Sequence, residues 1–172
     1  MRYKSSFFIL LALFILLVSS IQSANAKAKS AVPPALDAYE VALTEGINFS
    51  NPEYPSFIEG VSGMSGPEAW GRWSDGKEVV FTFKNPFPQK FELIMKASVL
   101  PANVGKLIPV SVGKWSENLK MTTESTDYTL HVKTTGKEKE IRITIPNPAP
   151  PGNGDLRNLG IRFVSMKIII VK

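Results

Sequence analysis

Val79-Val80-Phe81-Thr82-Phe83-Lys84-Asn85-Pro86-Phe87-Pro88-Gln89-Lys90-Phe91-Glu92-Leu93-Ile94-Met95-Lys96-Ala97-Ser98-Val99 is two alternating runs joined by a proline turn. Successive side chains of a strand point to opposite faces, so a period of two marks a strand with one buried side. Val79, Phe81 and Phe83 share one face, opposed by Val80, Thr82 and Lys84. After the Asn85-Pro86-Phe87-Pro88 turn, Phe91, Leu93, Met95, Ala97 and Val99 form a second inward row. The same period recurs downstream at Ile108, Val110 and Val112, at Tyr128, Leu130 and Val132, and at Ile141, Ile143 and Ile145. Upstream, Ile47-Asn48-Phe49 reads as a first strand. The last strand starts Ile161-Arg162-Phe163 and resumes at Met166, Ile168 and Ile170, a change of phase that predicts a β-bulge near Val164-Ser165.

Between these rows the chain turns. Residues 51–67 are rich in Pro, Gly and Ser and read as a long connection, and residues 146–154 as a turn-forming run. Residues 35–43 are amphipathic and fit a helix or a strand. Seven to nine short strands with turns between them predict an all-β chain, a two-sheet antiparallel β-sandwich of jelly-roll type. No run of alternating strands and helices points to a parallel sheet.

The first 26 residues read as a secretion signal. Arg2 and Lys4 precede an apolar run over residues 7–18, and Ala24-Asn25-Ala26 is a small-residue cleavage site. That run is shorter than the roughly 20 residues a membrane-spanning helix needs. Cleavage is expected after Ala26, which makes the protein periplasmic or secreted, with no transmembrane segment after cleavage. Residues 27–45 then form a linker and N-terminal segment, and residues 46–172 a single β-sandwich domain. The formal charge of +5 falls to +3 when Arg2 and Lys4 leave, and the remaining basic residues are scattered among acids, with no stripe suited to nucleic acid. The chain has no cysteine, so its core must stabilise it without disulfides.

Little catalytic equipment is visible. With one histidine, His131, and no cysteine, neither a Cys/His zinc site nor a three-histidine site can be built, and no metal or cofactor is expected. His131 alternates with Leu130 and Val132, which turns it toward solvent. Glu59, Glu68, Asp75 and Asp155 leave a carboxylate-pair glycan hydrolase or lyase open. The motif acids have arginines nearby, however, and these lower a carboxyl pKa, which disfavours a general acid.

Two phrases stand apart from the sandwich pattern, Glu68-Ala69-Trp70-Gly71-Arg72-Trp73-Ser74-Asp75 and Asp155-Leu156-Arg157-Asn158-Leu159-Gly160-Ile161. If the first is extended, Glu68, Trp70 and Arg72 share one face, and Trp73 turns inward with Gly71. An indole beside an acid and a guanidinium suits a sugar ring, the aromatic face taking the apolar side and the charges the hydroxyls. The same groups can brace a fold. Asp155 and Arg157 likewise read either as a loop-closing ion pair or as part of a cluster reaching Glu68 or Arg72. Trp115, after Gly113, reads as a ring carried on a loop.

With Gly60-Val61-Ser62-Gly63-Met64-Ser65 and Asn85-Pro86-Phe87-Pro88-Gln89-Lys90-Phe91, these phrases resemble the C-terminal β-sandwich domain of phosphoglycerol transferase I-type proteins, from about Ile47 onward. Those are membrane enzymes that decorate periplasmic glucans, and similar modules accompany envelope glycosyltransferases. The transferase domain, with its metal site and nucleophilic threonine, has no counterpart here. The resemblance therefore implies a carbohydrate-binding-module-like accessory domain, not an enzyme, whose partner is an envelope glycan or phosphoglycan. The ligand-binding candidates are Glu68, Trp70, Arg72, Asp155 and Arg157. The alternative is a structural protein that docks on a membrane glycan-modifying transferase.

Overall fold

The computed structural model describes residues 37–171. The expected signal over residues 1–26 and most of the expected linker and N-terminal segment over residues 27–45 lie outside them. Ten strands follow one helix: α1 (Ala38–Glu45), β1 (Ile47–Asn48), β2 (Ile58–Ser62), β3 (Arg72–Asp75), β4 (Glu78–Phe83), β5 (Lys90–Val99), β6 (Ile108–Val112), β7 (Trp115–Leu119), β8 (Thr126–Lys133), β9 (Glu140–Thr144) and β10 (Leu159–Ile170). One sheet runs β1-β10-β5-β8, with β3 also paired to β10, and the other runs β2-β4-β9-β6-β7. All pairings are antiparallel. Apart from the β6–β7 hairpin, each strand passes to the opposite sheet from its predecessor, which is the jelly-roll arrangement. Among the described residues no helix is long and apolar enough to cross a membrane.

The inward rows meet between the sheets. Val79, Phe81 and Phe83 of β4 and Ile141 and Ile143 of β9 are buried in one sheet, and Phe91, Leu93, Met95 and Ala97 of β5 in the other. Phe49, just past β1, sits among them with its ring centroid 5.7 Å from that of Phe81 and 5.5 Å from that of Phe163. Large rings at such offsets fill the space between sheets and hold their spacing. The predicted bulge is present: the β5–β10 register shifts between Phe163 and Ser165, which returns Met166 and Ile168 to the core.

Of three further segments, the first resolves an alternative that the sequence left open, and the other two differ from the expectation. Residues 38–45 resolve as helix: the Asp37 side chain accepts from the Tyr39 N–H at 3.0 Å, and the Gly46 N–H closes the other end on the Ala42 carbonyl at 2.9 Å. Leu43 fastens this helix to the core. Burial pushes the Tyr39 phenol up to about 12, and its hydroxyl donates to the Asn85 carbonyl at 3.0 Å. Second, β2 lies inside the presumed connection over residues 51–67. It is an edge strand carrying Gly60 and a register shift, so its alternation is broken. Third, β7 is an edge strand whose middle is exposed and polar, Ser116-Glu117-Asn118, and it lacks an apolar row. Trp115 therefore starts a strand opposite Val112, across a two-residue turn with Gly113 at φ 58°.

Where β3 begins, the backbone of Gly71 lies against β10. Gly71 has φ 146°, and a Cβ there would fall 2.1 Å from the Phe163 carbonyl oxygen. Gly71→Ala is expected to cost at least about 2 kcal/mol, through strain at φ and lost β3–β10 pairing. Urea unfolding checks this, and an unchanged midpoint would mean the strand can move away from β10 at no cost.

Candidate functional site

The two phrases are neighbours in space because they are paired strands. Asp75 lies opposite Leu159, Trp73 opposite Arg162 and Arg72 opposite Phe163. Side chains reinforce the seam where the register slips between Leu159 and Arg162. The Ser74 hydroxyl accepts from the Ile161 N–H at 2.8 Å, and the Asp75 carboxylate accepts from the Asn158 N–H at 2.9 Å.

The expected alternation through Glu68, Trp70 and Arg72 is corrected. Residues 68–71 close a tight turn, with the Glu68 and Gly71 backbones exchanging hydrogen bonds at 2.7 and 3.0 Å. The turn reverses the phase, so Arg72 and Ser74 point inward while Trp73 points outward beside Trp70. Trp73, expected in the core, is half-buried at the surface, and Arg72, expected beside Trp70, is 7% exposed.

Arg72 has an internal task. Its Nε donates to the Phe49 carbonyl at 3.2 Å, and its Nη2 to the carbonyls of Asn51 and Pro52 at 2.8 and 2.7 Å. These oxygens belong to the chain leaving β1 for the opposite sheet. A planar guanidinium offers several donors in fixed directions, which a lysine does not. The cation also lies 4.4 Å from the centroid of the Tyr54 ring. Burial raises the Tyr54 phenol pKa, and the Arg72 charge opposes that rise.

The other four candidates are brought together on the outside. Arg157 grips Asp155, with Nε at 3.1 and 3.0 Å from its two oxygens and Nη2 at 2.6 Å from one of them. Its Nη1 reaches Glu68 at 3.4 Å, and the other Glu68 oxygen accepts from the Trp70 indole N–H at 3.0 Å. The bridge between the phrases thus runs to Glu68 and not to Arg72. Hydrogen bonds from Arg157 hold the Asp155 carboxyl below its ordinary value, and those same bonds raise the Arg157 guanidinium. A depressed carboxyl holds its proton poorly, so Asp155 is unsuited to general-acid work.

Two residues that the sequence analysis left out of the site complete the cluster. The Arg162 guanidinium lies 4.1 Å from the centroid of the Trp70 ring, and Trp73 meets Trp70 edge to face at 5.3 Å. Arg162 was readable as outward-facing from its place between Ile161 and Phe163, but nothing local linked it to Trp70. His131 is exposed, as expected, with Nδ1 3.5 Å from the Glu92 carboxylate.

The geometry defines a jelly-roll sandwich carrying an aromatic and charged cluster on one outer face. Its architecture is similar to that of a variant of the family 29 carbohydrate-binding module CBM29-2, with TM-score 0.51 and 9% identity, over 73% of this chain and 89% of that one. The family described as "Domain of unknown function (DUF7024)" matches residues 37–170, and the chain belongs to it. Phosphoglycerol transferase I of Citrobacter koseri is 36% identical over 123 residues, and that of Escherichia coli 35% over the same length. Those residues are 67% of this chain and 16% of each relative, so the match spans about a sixth of the length of these curated proteins.

Arg72→Met keeps the length of the side chain but leaves three backbone carbonyls without their donor. It is expected to cost about 2–4 kcal/mol in urea unfolding, and a loss below 1 kcal/mol would show the carbonyls satisfied in another way. Asp155 gives a pH signature. Its folded pKa lies below the unfolded one, so its contribution is present above the unfolded value and is lost as pH falls through the folded value. The thermal midpoint of Asp155→Asn should therefore sit below wild type by a constant margin from about pH 7 to 5, narrowing below about pH 4. Parallel midpoints down to about pH 2 would contradict the pairing.

Proposed function

We propose that this chain is an exported, non-catalytic module that binds glycan or phosphoglycan in the bacterial envelope. The observation that carries the reading is the half-exposed pair Trp70 and Trp73, flanked by Glu68, Arg157 and Arg162 on one outer face. Indoles stack on the apolar faces of sugar rings, and fixed charged groups at their rim supply directional hydrogen bonds to hydroxyls. In this reading the ligand meets Trp70, Trp73, Glu68, Asp155 and Arg157, while Arg72 acts from inside as a brace. The matched part of phosphoglycerol transferase I, a protein named for a phosphoglycerol transfer, supports an envelope glycan setting. The carbohydrate-binding-module architecture is compatible with binding without turnover. The predicted signal, with cleavage after Ala26, supplies the route to the periplasm or beyond.

Calorimetric titration of the exported protein with linear and cyclic β-glucan oligosaccharides tests the proposal. Trp70→Ala and Trp73→Ala should each weaken binding about five- to tenfold, the value of a lost stacking contact, with melting curves close to wild type. Trp70→Phe, which keeps a ring but loses the N–H to Glu68, should fall between. No heat with any glucan would remove the reading. Weaker binding only in step with unfolding would turn the cluster into a brace.

A further inference from the structure

Arg162 differs from the other arginines whose surroundings are described. Arg72 is consumed by three carbonyls, Arg142 is paired with Glu78 and Glu140, and Arg157 with Asp155 and Glu68. Among the described residues, no carboxylate lies within 4.0 Å of Arg162 and no protein acceptor takes a hydrogen bond from its guanidinium. The group is nonetheless held in place. It lies over the Trp70 ring, and Trp70 is itself fixed by its indole bond to Glu68 and its edge contact with Trp73. Arg162 thus presents a positioned fork of N–H donors with no acceptor among the described residues.

The carboxylates nearest to the cluster are also occupied. Glu68 uses one oxygen on Arg157 and the other on Trp70, and Asp155 is gripped by Arg157. A second cation stands on the same outer face: Ser98 lies opposite Arg162, and Lys96 is two residues along β5, hence diagonal to Arg162. Lys96 is exposed and lies opposite Asp127 without an ion pair among the described residues. Asp127 offsets part of that charge, which leaves Arg162 as the principal anchor.

We infer that Arg162 is an oxyanion subsite beside the tryptophan pair, which selects saccharides bearing an anionic substituent over neutral ones. This rests on the saccharide reading above and narrows it to a ligand class. A guanidinium fork matches two oxygens of a phosphate or a carboxylate, and such charge-assisted bonds are the stronger kind. Stacking on Trp70 fixes the orientation of the fork before the ligand arrives, which reduces the ordering cost of binding.

The test compares one glucan oligosaccharide in three forms, neutral, phosphoglycerol-substituted and succinylated, with inorganic phosphate as a fourth probe. Wild type should bind both substituted forms about five- to tenfold more tightly than the neutral one, and the margin should shrink between about 0.05 M and 0.5 M salt. Tighter binding of only one substituted form would assign the oxyanion to phosphate or to carboxylate. Arg162→Gln should erase the margin, weakening both substituted forms more than the neutral one. Arg162→Lys should restore only a salt-sensitive part, because an ammonium lacks the fork. Lys96→Gln, which touches neither tryptophan, should trim the margin slightly.

Equal affinity for neutral and substituted glucan in wild type would overturn the oxyanion subsite and leave the saccharide reading standing. No binding of any form would overturn both. A margin that survives in Arg162→Gln would overturn the assignment to this residue. Equal weakening of neutral and anionic ligands would reduce Arg162 to a support for the Trp70 ring, which also overturns the inference. Inorganic phosphate that matches the substituted glucans in affinity would mean a free anion site without saccharide selection, contrary to the proposal.

Discussion

The guanidinium of Arg72 is the only charged group among the described side chains that is buried, and the crossing between the two sheets is tied to it. The chain leaves β1 at Phe49, whose ring is at the centre of the core, and its next carbonyls have no ladder to join. Arg72 satisfies three of them from β3, and β3 is in turn fastened to β10. A buried cation is costly unless its donors are used, and unsatisfied carbonyls are costly in the same place. Each deficit offsets the other. That coupling fixes where β3 lies, and the position of β3 sets the direction in which Trp73 and the preceding Trp70 turn point.

The cluster outside follows from this placement. Gly71 permits the close approach to Phe163, the turn over residues 68–71 folds Glu68 back over the surface, and Arg157 can then reach it from the loop before β10. The same β3–β10 register sets Arg162 opposite Trp73. β3 therefore presents two chemistries: Arg72, directed into the core, stabilises the crossing, and Trp73 is directed outward beside Trp70.

Much of this was legible in the sequence, and the rest was hidden for physical reasons. The inward rows Val79-Phe81-Phe83 and Phe91-Leu93-Met95-Ala97 were readable because both strands have one face on the core. The bulge at Val164-Ser165 was readable as a phase change between Phe163 and Met166. β2 and β7 were not, since edge strands need no apolar row and Gly60 interrupts the first of them. At the site, the reach from Arg157 toward Glu68 followed from charge complementarity. The inward turn of Arg72 did not, because its acceptors are backbone carbonyls, which leave no mark in the sequence. Arg162 and Trp70 lie 92 positions apart in the chain and meet only through the register of β3 on β10.

The three tryptophans offer the most direct check on this division between brace and binding face. Trp70 and Trp73 lie in the outer cluster, whereas Trp115 begins β7 at the edge of the opposite sheet. The indole N–H signals of the 15N-labelled protein should be followed during titration with a substituted β-glucan oligosaccharide. The account predicts that the Trp70 and Trp73 signals shift in step with the Arg162 Nε–H, while those of Trp115 and the Arg72 Nε–H stay in place. Shifts confined to Trp115, or an Arg72 Nε–H that moves while Trp70 and Trp73 remain still, would contradict it.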